Sequence, residues 1–172
     1  GGTDTLAATA LTDVDLSNVS SVEVLNATTG ATLGAFSDAA GIGTVVALDN
    51  GAIDATTRAN ALTVTTFTAQ TDTWTGGGGD DIFAFNSTGT AVAADTIAGG
   101  LGTNTIIIDN ESDADAGTVG ENTVAVLDRT SKIQKVLVLD SATDNALGDV
   151  SLTIQNAAYD QKSLEVDASS LD

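Results

Sequence analysis

Short runs rich in Val, Ile, Leu and Thr lie at Val22–Leu25, Thr44–Leu48, Leu62–Thr68, Asp81–Phe85 and Thr105–Ile108. The series continues at Val124–Leu127, Ile133–Leu139, Leu152–Ile154 and Leu164–Val166, with Gly, Asn, Asp and Ser in between. β-Branched residues suit a pleated surface and turn residues bound it, so the pattern predicts an all-β chain. Two spans, Ala52–Ala59 and Thr143–Gly148, lack the strand pattern and are expected to be short helices or irregular. The continuous apolar runs Ile106–Ile108 and Val136–Leu139 predict strands covered on both faces, as in parallel sheets. Leu62–Phe67 alternates instead, Leu62, Val64 and Thr66 against Thr63, Thr65 and Phe67, which predicts a half-exposed strand. A β-sandwich of antiparallel sheets suits these phases too and stands as the alternative.

The chain also repeats itself. GTDTL at Gly2–Leu6 matches GTNTI at Gly102–Ile106, and NVSSVEVLN at Asn18–Asn26 matches KIQKVLVLD at Lys132–Asp140. IDATT at Ile53–Thr57 then matches VDASS at Val166–Ser170. The kept order predicts two units: 1–98, ending in a glycine-rich turn region, and 99–172, a second and incomplete copy. A start at Gly1-Gly2, inside such a motif, is expected of a segment of a longer chain.

Hydrophobic residues make up 42% of the chain and aromatics only 3%, which calls for thin layers of small and β-branched side chains. The net charge of -19, from 24 acidic and 5 basic residues, favours solubility and opposes compaction by self-repulsion. No Lys/Arg stripe exists to neutralise phosphate, so nucleic acid is not an expected partner. No apolar run approaches the ~18 residues of a membrane helix, so no membrane insertion is expected either. Without Cys there are no disulfides or thiolate metal sites, and without His the usual catalytic triads are excluded. Ser131 and Lys132 adjoin with no oxyanion motif nearby, and Trp74, Tyr159 and four Phe give few platforms for sugars. The chain is therefore not expected to be an enzyme. Asp109, Glu111, Asp113 and Asp115 crowd one stretch, but an EF-hand counted from Asp109 needs Gly at Ala114 and Glu at Gly120, so a solvated loop is expected.

Thr75–Phe85, TGGGGDDIFAF, carries sharper chemistry. Gly76, Gly77, Gly79, Asp81 and Phe83 fill every specified position of the pattern GGxGxDxUx, where U is a large apolar residue. Ala98–Ile108, AGGLGTNTIII, echoes it with Gly99, Gly100, Gly102 and Ile106, and with Asn104 in place of Asp. Calcium takes six to eight oxygens at about 2.3–2.6 Å, and a glycine turn can aim carbonyls inward while a short Asp adds charge. Asp72 in TDTWT and Asp95 in ADTIA recur just ahead of the two turns. The expected metal ligands are Asp81 first, then Asp72, Asp80, Asp95, carbonyls near Gly76, Gly78, Gly99 and Gly100, and Asn104. Trp74 is expected to be a packed layer residue. A P-loop is excluded, because Asp80 and Asp81 follow Gly79 where a phosphate site needs Lys.

At these residues the chain resembles the RTX family of secreted calcium-binding repeats. The larger order is TDTL, the VEVL strand at Val22–Leu25, the DASSL element at Asp167–Leu171, and ALTVT at Ala61–Thr65 leading into GGGGDD. It is similar to the repeating region of bacterial surface-layer and related cell-surface proteins secreted by a type I route, and it covers nearly the whole chain. The resemblance implies a parallel β-roll or β-solenoid-like repeat with calcium in its Gly/Asp turns, an extracellular place at the cell surface, and no chemistry. It also implies a homo-oligomeric lattice or filament, with cell-surface polysaccharide as a further partner. The expected function is that of a structural, calcium-stabilised segment of a secreted self-assembling surface-layer or sheath-like protein. A stalk or binding module of a large RTX-type adhesin, and the non-catalytic secretion region of an exported hydrolase, are the alternatives.

Overall fold

Turn residues break the apolar runs so often that the chain reverses direction every few residues, and each strand finds its partner one full circuit later. The computed structural model describes residues 1–66, 71–86, 94–109, 124–127, 129–139, 151–154 and 164–169. An eight-stranded sheet holds, in spatial order, β1 (Thr5–Ala8), β2 (Val24–Ala27), β4 (Thr44–Ala47), β6 (Thr63–Thr66), β8 (Ile82–Asn86), β10 (Thr105–Asp109), β13 (Lys135–Leu139) and β15 (Glu165–Asp167). A five-stranded sheet holds β12 (Thr130–Ser131), β9 (Thr96–Ala98), β7 (Thr73–Thr75), β5 (Ala52–Asp54) and β3 (Gly30–Thr32), while β11 (Val124–Leu127) pairs with β14 (Ser151–Ile154). Every strand pair among the described residues is parallel. The molecule is thus a parallel β-solenoid, and the antiparallel sandwich is set aside.

Thr5, Val24, Thr44, Thr63, Ile82, Thr105, Lys135 and Glu165 stand in one row across the large sheet. The row advances by 19 or 20 residues per turn as far as Ile82, then by 23 to Thr105 and by 30 to Lys135 and to Glu165. The ladder runs from β8 to β10 without a break, straight through the boundary between the two sequence copies.

Alternate rows point inward and build the core. Leu25, Val45, Val64, Phe83, Ile106 and Val136 form one row, and Ala27, Ala47, Phe85, Ile108 and Val138 belong to the next. The small sheet answers with Ala31, Ile53, Trp74 and Ile97. Trp74 is fully buried with its ring 6.2 Å from Phe83 and 5.0 Å from Phe85, the layer position expected of it. Ile107, Leu137 and Leu139 are half-buried on the outward face. The runs expected to be covered on both faces are therefore fully covered on one, because a solenoid has an inside and an outside.

Two local expectations are corrected. Ala52–Asp54 is strand β5, followed by a turn, where a helix or irregular stretch was expected; its alternating exposure hides only Ile53. A short helix, α1 (Ala35–Ala40), forms where none was expected. Its cause lies one turn away: Asp13 accepts the N–H groups of Gly34 (2.7 Å), Ser37 (2.9 Å) and Phe36 (3.1 Å), which an isolated six-residue helix would leave bare. Gly41 ends the helix at a left-handed φ of 96°. Thr143–Gly148, and Glu111, Asp113 and Asp115 of the acidic cluster, lie outside the described residues.

Candidate metal sites at two corners

Each turn enters the small sheet at one corner and leaves it at another, and the nine expected metal ligands divide between the two. Asp72 and Asp95 directly precede β7 and β9, at the leading corner. Gly76, Gly78, Asp80, Asp81, Gly99, Gly100 and Asn104 follow those strands, at the glycine corner.

At the glycine corner the backbone of adjacent turns is in direct contact. A Cβ on Gly99 would sit 2.2 Å from Lys132 O, and one on Gly100 would sit 2.4 Å from Gly77 O. Leu101 N–H donates to Gly77 O (2.8 Å) and Gly76 N–H to Ala98 O (2.8 Å). The position three residues before β1, β2, β4, β10 and β13 is also a left-handed bend, with φ 136° at Gly2, 58° at Ser21, 96° at Gly41, 84° at Gly102 and 58° at Lys132, while Asn60 and Gly79, at the same place before β6 and β8, lack it. Close approach accounts for Gly76, Gly77, Gly79 and Gly99, and close approach with a left-handed φ for Gly100 and Gly102.

One residue ahead of the large-sheet strands, along the same corner, stand Asp4, Glu23, Gly43, Leu62, Asp81, Asn104, Gln134 and Leu164, a row in which Asp4, Glu23, Asp81, Asn104 and Gln134 carry polar side chains. Several of its side chains accept the row N–H of the turn before. Asp4 N–H reaches Glu23 Oε2 (2.8 Å), Leu62 N–H reaches Asp81 Oδ1 (2.8 Å), Asp81 N–H reaches Asn104 Oδ1 (2.9 Å) and Asn104 N–H reaches Gln134 Oε1 (2.5 Å). Asp81 Oδ2 accepts Gly77 N–H (2.9 Å) within its own turn. Burial pushes the Asp81 carboxyl upward, and the Leu62 and Gly77 N–H groups and the Arg58 charge only partly offset it. Glu23 and Gln134 were missed by sequence reasoning; the signal is a side-chain acceptor one residue ahead of β1, β2, β8, β10 and β13, as the GTDTL/GTNTI match already showed for Asp4 and Asn104.

Asn104 is where the nonapeptide pattern asks for Asp, and the geometry gives the reason. Its Nδ2 donates to Lys132 O (3.0 Å) and Leu101 O (3.1 Å), a role no carboxylate can fill. Asn104→Asp restores the pattern on paper, yet it is expected to destabilise the calcium-free protein by about 1–2 kcal/mol, as two part-buried hydrogen bonds to carbonyls lose their donor. Equal or higher stability in urea unfolding would refute the assignment.

Arg58, also missed, is buried beneath this corner. Its Nη2 donates to Ile42 O (2.7 Å) and lies 3.0 Å from Asp38 Oδ1, a pair held by charge rather than by a well-aligned hydrogen bond. Desolvation lowers its pKa, against the charges of Asp38, Asp81 and Asp13. The Arg58 carbonyl accepts Gly78 N–H (2.9 Å), which seats the glycine turn on this residue.

At the leading corner Asp72 and Asp95 stack on successive turns, 1% and 3% exposed, with Asp72 N–H donating to Asp95 Oδ1 (2.9 Å). Asp72 Oδ1 is buried without a partner. Burial first, and the neighbouring Asp95 charge second, push the Asp72 carboxyl up to about 7.

Calcium suits the two corners differently. Both Asp81 oxygens accept chain N–H groups, Asp80 Oδ1 accepts Thr103 N–H (2.7 Å), and Gly77 O accepts Leu101 N–H. Asp80 Oδ1, Asp81 Oδ1 and Gly77 O are thus already engaged in joining turns, and Asp81 Oδ2 in closing its own. Asp72 and Asp95 offer two buried carboxylates and an orphaned oxygen, which a divalent cation would satisfy; they supply charge but not six to eight oxygens by themselves. Among the described residues no three acidic side chains converge. No protein family, curated protein or solved structure matches the chain.

Proposed function

We propose that the chain is a structural spacer: a solenoid segment of a secreted, self-assembling surface-layer or sheath-like protein that folds with the help of calcium outside the cell. The observation that carries this reading is the polar row, in which side chains capable of chemistry are used to bind one turn to the next. Calcium would be held first by Asp72 and Asp95, where it would supply positive charge to a buried acidic pair. Asp80, Asp81 and the carbonyls of Gly76, Gly78, Gly99 and Gly100 form the secondary candidate. In low calcium the self-repulsion of a -19 chain disfavours compaction, so export through a type I route would precede folding.

Far-UV circular dichroism during a calcium titration tests this, with magnesium and sodium chloride as controls. A calcium-specific gain in β signal or stability is expected, about 2.7 kcal/mol once calcium reaches a hundred times its Kd. A fold indifferent to calcium would remove the ion from the proposal and leave the spacer. A binding module of a large adhesin is the second reading, favoured by a groove of about 420 Å³ lined by Thr56, Thr75, Ala98, Gly100, Leu101 and Lys132.

A further inference from the structure

Among the chain's asparagines Asn50 alone is followed by glycine. The pair turns the corner between β4 and β5, with Asn50 exposed and Gly51 buried. Such a step is chemically labile, because glycine has no Cβ to shield its nitrogen from the asparagine side chain before it. Three contacts hold this one. Asn50 Oδ1 accepts Thr71 N–H (2.8 Å) from the next turn, and Asn50 N–H donates to Asp49 Oδ1 (2.8 Å). Gly51 lies against the turn before, where a Cβ on it would sit 2.9 Å from Gly30 N and 3.1 Å from Thr29 C. Those neighbours are backbone, so the packing requires glycine and brings the labile step with it.

We propose that Asn50-Gly51 is a covalent modification site gated by folding: the Asn50 amide is lost from the open chain and kept in the folded one. The reaction needs only water. Gly51 N attacks Asn50 Cγ as its proton leaves, and the new N–Cγ bond closes a succinimide ring. The Cγ–Nδ2 bond breaks, and Nδ2 departs as ammonia with that proton. Water then adds to either ring carbonyl and opens the ring. One opening leaves an aspartyl residue at position 50, the other an isoaspartyl residue whose backbone runs through the side-chain carbons.

Ring closure requires the Asn50 side chain to swing until Cγ meets Gly51 N in line for attack. Thr71 N–H holds Oδ1 on the next turn and Gly30 confines Gly51, so the swing waits for this corner to open. Conversion before folding has a lasting effect. An isoaspartyl linkage adds an atom to the backbone where Gly51 already abuts Gly30, just ahead of the Gly30 to Ala52 pairing of β3 with β5. A chain converted in this way is expected to unfold at lower denaturant than an unconverted one.

Peptide mass spectrometry of the 172-residue chain, aged in mildly alkaline buffer with and without guanidinium chloride, provides the test. Circular dichroism confirms which samples are folded, with calcium added to all of them if folding needs it. In guanidinium chloride the mass gain of deamidation is expected at Asn50 ahead of every other asparagine. In the folded chain the same conversion is expected to be slower by about tenfold or more. Thr71→Pro removes the N–H that holds Oδ1 and should raise the folded rate roughly threefold to tenfold, whereas Thr71→Ala keeps that N–H and should leave the rate unchanged. Equal rates in the folded and denatured chain, or another asparagine converting first in guanidinium chloride, would overturn the proposal. So would a folded Thr71→Pro chain no faster than wild type, or a Thr71→Ala chain as fast as Thr71→Pro. If Thr71→Pro does not fold, the comparison of folded with denatured wild type decides alone.

Discussion

Asp81→Ala is expected to lower stability by about 3–5 kcal/mol in calcium-free buffer, since two buried N–H groups lose their acceptor and each costs about 1–3 kcal/mol. Those groups are Leu62 N–H, from the turn before, and Gly77 N–H, from its own glycine turn. Arg58, which is 4% exposed, also loses one of the charges that favour its buried guanidinium. Asp81→Asn should fall between wild type and Ala, because its Oδ1 still serves Leu62 while its amide meets Gly77 N–H with a second donor. Urea unfolding with and without calcium separates the two roles open to this residue. A loss of the same size in both buffers marks Asp81 as a turn-to-turn tie. A loss confined to the calcium buffer marks it as an ion ligand and refutes the tie.

Asp72→Asn should do the opposite and stabilise the calcium-free protein at pH 8, by on the order of 3–4 kcal/mol. The Asp72 carboxyl stands at about 7 in the folded chain against an ordinary value of 3.8, raised by burial and by Asp95. Between those two values the folded state holds a proton that the unfolded state has released, so its stability contribution is complete below about pH 4 and is lost as pH rises to about 7. Above 7 the cost is constant. Asn carries no charge to desolvate, so the variant should flatten this part of the pH profile. Thermal unfolding from pH 4 to 8 reads the result, and a variant less stable than wild type at pH 8 without calcium would sink the assignment. In saturating calcium the order should reverse if Asp72 holds the ion, because Asn gives up a charged ligand.

The large-sheet strands after β1, the pair β11 and β14, the glycine turns and the burial of Trp74 were legible because they are local, whereas β1 and the two- and three-residue strands of the small sheet were not among the expected runs. Period-two alternation assigns a face, a cluster of turn residues ends a strand, and a glycine marks a bend or a close approach. The same logic fails at Ala52–Ala59, where three strand residues around one buried Ile are too few to show alternation. It fails again at α1, whose N–H groups are satisfied by Asp13 from a neighbouring turn.

By itself the sequence determined an all-β chain with short strands, acidic surfaces and tight glycine corners, since composition and spacing act within a few residues. Only the tertiary structure decided which strands share a sheet, because each partner in this solenoid lies 19 to 33 residues away. It also parted Asp72 and Asp95 from Asp81 and Asn104, placing a buried acidic pair at one corner and a row of turn-to-turn hydrogen bonds at the other. It gave Asn104, at a position the pattern reserves for Asp, a donor's role that Asp cannot fill. Those roles follow from which backbone groups one turn presents to the next, and that is fixed by register rather than by local sequence.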